Sequence, residues 1–105
     1  MPKRVICDVT TPLGERVILT RDRWREITRF KHPAVAGHET DVRDCLCDPV
    51  LFRASNQDAS VHLYYRQIGS GKYVCVVIAG DPSNRFVVTA YLTKKIKTGA
   101  ELWKK

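Results

Sequence analysis

Tyr73-Val74-Cys75-Val76-Val77-Ile78-Ala79 is an uninterrupted apolar run, with Gly69-Ser70-Gly71 before it and Gly80-Asp81-Pro82-Ser83-Asn84 after it. Clusters of glycine and proline mark turns, so the run reads as a strand. A strand that is apolar on both faces must be covered on both, which places it at the centre of a sheet. Its sequence neighbours supply partners. Val61–Gln67 alternates, with Val61, Leu63 and Tyr65 facing one way and His62, Tyr64 and Arg66 the other. Arg85–Leu92 is the next strand, where alternation puts Thr89 and Tyr91 on one face with Val87. Val50–Arg53 is a further short strand, followed by the loop Ser55-Asn56-Gln57-Asp58.

The first half of the chain has a different rhythm. Met1–Glu15 reads as an extended arm with a turn at Thr10-Thr11-Pro12-Leu13-Gly14, and Val17-Ile18-Leu19 as a short strand. Thr20 has the chemistry of an N-cap, and Asp22 sits where the helix dipole favours a carboxylate. Trp24, Ile27 and Phe30 recur every three residues, which predicts a short amphipathic helix over Arg21–Phe30 with those side chains in the core. Lys31-His32-Pro33 ends it, because the residue before proline is pushed out of the helical region. A second helix is expected from His38 to Cys47, with Val42, Cys45 and Leu46 inward and Asp48-Pro49 closing it. Lys94–Lys105 reads as a basic tail anchored by Trp103. The expected architecture is α+β: two N-terminal helices packed on a four-stranded antiparallel sheet. At 105 residues the chain fits a single domain, 1–105, with 1–15 as the arm and 94–105 as the tail.

Charge narrows the partners. Eighteen Lys and Arg against eleven Asp and Glu leave +7, a field that attracts polyanions. The arginines are spread along the chain, so a folded basic face is expected rather than a charged tail alone. No apolar run approaches the roughly 20 residues that span a bilayer. Asp8 interrupts the N-terminal apolar stretch before a signal peptide could form, so no membrane is expected and the cytoplasm is the expected compartment. The four cysteines read as free thiols. Cys45-x-Cys47 has the wrong spacing for a zinc knuckle and lacks a second ligand pair, so no metal site is expected. Gly69-Ser70-Gly71 is too short for a phosphate-binding fingerprint, and no cofactor is expected. A nuclease built on this chain would have to work without metal, through His, Arg, Lys, Tyr, Ser and Thr.

Several residues have the chemistry for such work. His32, between the two helices, can take or give a proton near neutral pH, as histidines do. As a surface or capping residue it would need no function. Arg53 could brace a phosphate through two parallel hydrogen bonds, with Ser55 close by. Thr89 and Tyr91 offer hydroxyls on one strand face, although both are also good strand formers. His62, Tyr64 and Arg66 would line a cleft if their face of the sheet were open, and His38 either caps the second helix or joins them. Which histidine faces the cleft stays open.

Taken in order, His32-Pro33…His38-Glu39, Asp48-Pro49…Arg53-x-Ser55 and Tyr64-Tyr65-Arg66 form a pattern. Val74-Cys75-Val76-Val77, Phe86-Val87-Val88-Thr89-Ala90-Tyr91-Leu92-Thr93, Ile96-Lys97-x-Gly99 and Trp103 continue it. The pattern resembles the phage-associated nucleases of the barnase–EndoU–colicin–RelE superfamily over His32 to Trp103, with Ala34 where that family often has an acidic residue after His-Pro. The resemblance implies a two-helix, four-stranded antiparallel fold. It also implies a toxin-like endoribonuclease that needs no metal, in which a 2′-hydroxyl attacks the adjacent phosphate to leave a 2′,3′-cyclic phosphate. Carried over, His32 would be the acid or base and Arg53 would stabilise the phosphorane. Thr89 and Tyr91 would hold phosphate or the attacking hydroxyl, and Ser55, Tyr64, Arg66 and Lys94 would bind nucleic acid. RNA is the implied substrate, with an antitoxin or immunity protein as the implied restraining partner. Two other readings stand beside it. One is a nucleic-acid-binding module of the same fold without catalysis, in which Tyr64, Tyr91 and Arg66 stack on bases. The other is a protein–protein adaptor or inhibitor.

Overall fold

A computed structural model of the chain describes residues 4–97 and 99–105. Its strands are β1 (Val5–Thr10), β2 (Arg16–Thr20), β3 (Leu51–Ala54), β4 (His62–Gly69), β5 (Lys72–Asp81), β6 (Asn84–Thr93) and β7 (Glu101–Lys104). The helices are α1 (Arg21–Glu26) and α2 (Glu39–Cys47). All the strands join one sheet in the order β1-β2-β6-β5-β4-β3-β7. Neighbours are antiparallel except β2 and β6, which run parallel through Val17↔Arg85 and Ile18↔Phe86.

The expected two helices on a four-stranded antiparallel sheet are therefore corrected to a seven-stranded mixed sheet with two helices on one face. The additional strands come from segments that looked unstructured. The arm folds back as the hairpin β1–β2, its charged Asp8 turned outward onto Arg16 at 2.8 Å while Cys7 enters the core. The tail supplies β7, which covers the free edge of β3 and stacks Trp103 on Phe52 at 5.8 Å. An uncovered edge presents unpaired backbone groups, so the short segment Glu101-Leu102-Trp103-Lys104 is enough to fill it. Met1–Lys3 of the arm and Thr98 of the tail lie outside the described residues.

Thr20 caps α1, its hydroxyl accepting from the Arg23 N–H at 3.2 Å. Beyond Glu26 the helix widens into a π-helical turn, Ile27–Lys31, closed by the His32 N–H donating to the Ile27 carbonyl at 2.7 Å. The extra residue per turn rotates Phe30 off the line through Trp24 and Ile27. Those two are buried, whereas Phe30 is 79% exposed, which corrects its expected place in the core. A 3-10 turn, Pro33–Val35, leads to α2, whose Val42, Cys45 and Leu46 are buried as the spacing predicts.

β5 lies fourth of seven and is covered on both faces. Val74, Val76 and Ile78 pack under the helices with Val17, Leu19, Tyr64 and Val87. Cys75 packs on the far side with Leu51, Leu63 and Tyr65, partly covered by Ile96. The sheet thus has a helix face and an open face. Among the described residues no helix is long and apolar enough to cross a membrane.

Candidate active site on the open face of the sheet

Register brings distant residues into rows across the open face. One row is Arg53–Leu63–Val77–Thr89 and the next is Leu51–Tyr65–Cys75–Tyr91. A bulge sets the last member of each. Val77 pairs with Thr89 but Ile78 with Val87, so Val88 is an extra residue on β6. A bulge changes which face the following side chains take. Val87 is buried under the helices, while Thr89 and Tyr91 turn to the open face, which corrects the expectation that all three share a face.

There they border an open depression of about 430 Å³. His32, Thr89 and Tyr91 form one wall, Ser55, Gln57 and Lys97 the other, and Leu63 and Val77 the floor. It continues past Lys97 into a second lobe of about 470 Å³ bounded by Ser55, Asn56 and Gln57. The π-helical turn delivers His32, whose ring lies 5.2 Å from that of Tyr91. Lys97 Nζ stands 5.6 Å from the centre of the same Tyr91 ring, so an imidazole and an ammonium both border one aromatic. Among the described residues, no carboxylate is part of either lining.

The Lys97 backbone is fixed at both ends. Its N–H donates to the Tyr65 hydroxyl at 3.0 Å, and its carbonyl accepts from Arg53 Nη1 at 3.2 Å. Arg53 also lies 4.0 Å from Glu101 and is 26% exposed, so its guanidinium braces the loop more than it faces solvent. Gly99 allows the loop to hug β3, since a side chain there would collide with the Ala54 carbonyl. Below the surface, the hydroxyls and thiol stay neutral. Burial, with the Cys75 thiol and Tyr65 hydroxyl beside it, pushes the Tyr91 hydroxyl well above the ordinary phenol range. Burial also pushes Tyr65 up to about 12 and Cys75 to about 11. These groups do not ionise near neutrality. The Thr89 hydroxyl oxygen is buried without a hydrogen-bond partner.

Among the sequence candidates, His32, Ser55, Thr89 and Tyr91 come together, with Arg53 braced against the loop. Tyr64 and Arg66 do not join them, because their face of β4 is the helix face. Tyr64 is fully buried and stacked on Phe52 at 4.1 Å. Arg66 donates to the Asp48 carbonyl at 2.6 Å, capping the C-terminus of α2. Lys94 is exposed in the bend after β6 and lines neither lobe. His38 Nδ1 lies 2.8 Å from Asp41 at the start of α2, and His62 is buried on the helix face. Lys97, Gln57 and Tyr65 were not singled out as site residues. Gly99, which permits the close approach of the Lys97 loop, was the signal available for the first.

The chain matches no family model, no curated protein and no solved structure.

Proposed function

We propose that the chain is a metal-independent endoribonuclease whose active site is the depression between His32 and Lys97. The observation that carries this reading is that an imidazole and an ammonium both border the Tyr91 ring, in an open cavity whose described lining residues include no carboxylate. The +7 charge suits a polyanionic substrate, and the motif order resembling the phage-associated nucleases points the same way.

The chemistry needs one base, one acid and donors for the developing charge. His32 takes the proton of the 2′-hydroxyl as its oxygen bonds to phosphorus. The Lys97 ammonium neutralises the phosphorane oxygens, and the Thr89 hydroxyl donates to them. The bond from phosphorus to the 5′-oxygen breaks, and that oxygen takes its proton from Lys97, which regains one from solvent. Arg53 and Tyr65 act through the Lys97 backbone and are positioning residues.

The test is incubation of the purified chain with single-stranded RNA in EDTA, followed by analysis of the fragment ends. Cyclic phosphates are expected. His32→Ala should slow cleavage by about 10²–10⁴-fold, while its stability stays within about 0.5 kcal/mol. Intact RNA after prolonged incubation overturns the reading, and loss of folding in His32→Ala would assign that residue to structure.

A further inference from the structure

Phe30 is exposed to a degree that packing does not explain, and its neighbours are cationic. From Arg21 to Lys31 there are five Lys and Arg against two carboxylates. Arg25 and Arg29 are exposed and have no ion pair among the described residues, whereas Arg23 and Lys31 share Glu26 at 3.6 and 3.9 Å. The π-helical turn that presents Phe30 also delivers His32. Phe30 lies two residues from His32, so their backbones are within roughly 7 Å of one another.

We infer that Phe30 is a stacking platform for an unpaired nucleobase adjoining the phosphate held at His32, with Arg29 and Lys31 on the flanking phosphates. This rests on the ribonuclease reading and names its substrate class: single-stranded RNA. Base edges in an A-form duplex are stacked and paired, so only a splayed single strand can lay a base face on an exposed ring. Arginine and lysine beside it supply the sequence-independent charge neutralisation.

The experiment reads binding in a His32→Ala protein, so that RNA stays intact. A single-stranded oligoribonucleotide is compared with the same sequence as a blunt duplex. Phe30→Ala should bind the single strand roughly 5- to 150-fold more weakly, the equivalent of about 1–3 kcal/mol per stacked base. Its duplex binding and melting temperature should not change. Phe30→Trp should keep the single-strand affinity, and its emission should be quenched on binding beyond any change shown by the parent. Equal affinities for Phe30→Ala and parent, or an unquenched Phe30→Trp, overturn the inference and leave any cleavage by the unaltered chain unaffected. Uncut RNA removes the nuclease reading alone, because weaker binding by Phe30→Ala still upholds stacking in a protein that does not cut.

Discussion

Each face of the sheet carries a histidine, at least one tyrosine and a cation, and the two sets are used in opposite ways. On the helix face, Arg85 is 5% exposed and is gripped from three segments. Its Nε donates to Glu15 at 3.1 Å, and its Nη1 to the carbonyls of Ser60 at 2.8 Å and Gly80 at 3.0 Å. His62 and Tyr64 lie in the same layer, stacked along Phe52. On the open face, His32, Tyr91 and Lys97 border one cavity, and the Tyr65 hydroxyl and Arg53 guanidinium hold the Lys97 backbone rather than its ammonium. The same residue types are architecture where they are packed away from solvent and are available for chemistry where they border a cavity. Residue type alone does not separate the two.

The largest effect that sharpens the contrast is at Arg85. Arg85→Ala leaves the part-buried Glu15 without its cation and opens two carbonyls, a change of about 3 kcal/mol in unfolding free energy. That is a large share of the roughly 5–15 kcal/mol that holds a domain together. Urea titration should show the midpoint collapsing, with Arg85→Lys intermediate because an ammonium cannot reach all three acceptors. RNA cleavage per folded molecule should be preserved. A stable Arg85→Ala protein with lost cleavage would invert the roles of the two faces.

Much of the fold was legible in the sequence, and the limits have physical causes. The apolar run of β5, the Thr20 cap and the inner face of α2 rest on local chemistry, and the structure has them. β1, β7 and the parallel β2–β6 pair depend on which free edge a short segment finds, and no local pattern records that. The site divided along the same line. Thr89 and Tyr91 were found because strand alternation keeps them together, although the bulge at Val88 that parts them from Val87 has no sequence signature. Tyr64 and Arg66 were misplaced because polar character on one strand face was read as exposure. Phe52 and the end of α2 absorb them instead. Phe30 was misread because a π-helical turn breaks the three-residue spacing that suggested burial.

A second, smaller effect tests the open face from the other side. Among the described residues the buried Thr89 hydroxyl oxygen has no hydrogen-bond partner, a trait it shares with the Tyr64 hydroxyl on the helix face, so only a substitution tells whether it has work to do. Thr89→Val keeps the shape and removes the hydroxyl. Its unfolding free energy should be unchanged or higher by up to about 1 kcal/mol, while cleavage falls by about 10- to 100-fold if the hydroxyl donates to the phosphorane. Opposite signs on stability and rate mark a functional group. If Thr89→Val loses stability and keeps its rate, Thr89 belongs with the helix face as architecture.

The smallest effect is read as a slope rather than a loss. His62 is held below the ordinary histidine range, first by burial and then by the Arg85 guanidinium, with Glu15 pulling the other way. Its neutral form is therefore the folded form. The unfolded chain takes up a proton as pH falls below about 6.5, while the folded chain does not until its lower value is reached. Stability should thus be level above that point and decline as pH drops from it toward the folded value. The lowered carboxyls of Asp8, Asp48 and Asp58 act only at more acid pH, below the ordinary carboxylate range, so they leave this window to histidine. Urea midpoints at pH 7.5 and 5.5 should differ less in His62→Gln than in the parent. An equal difference in the two proteins would mean that His62 exchanges protons freely in the folded chain, and the helix face would then be as open to water as the other.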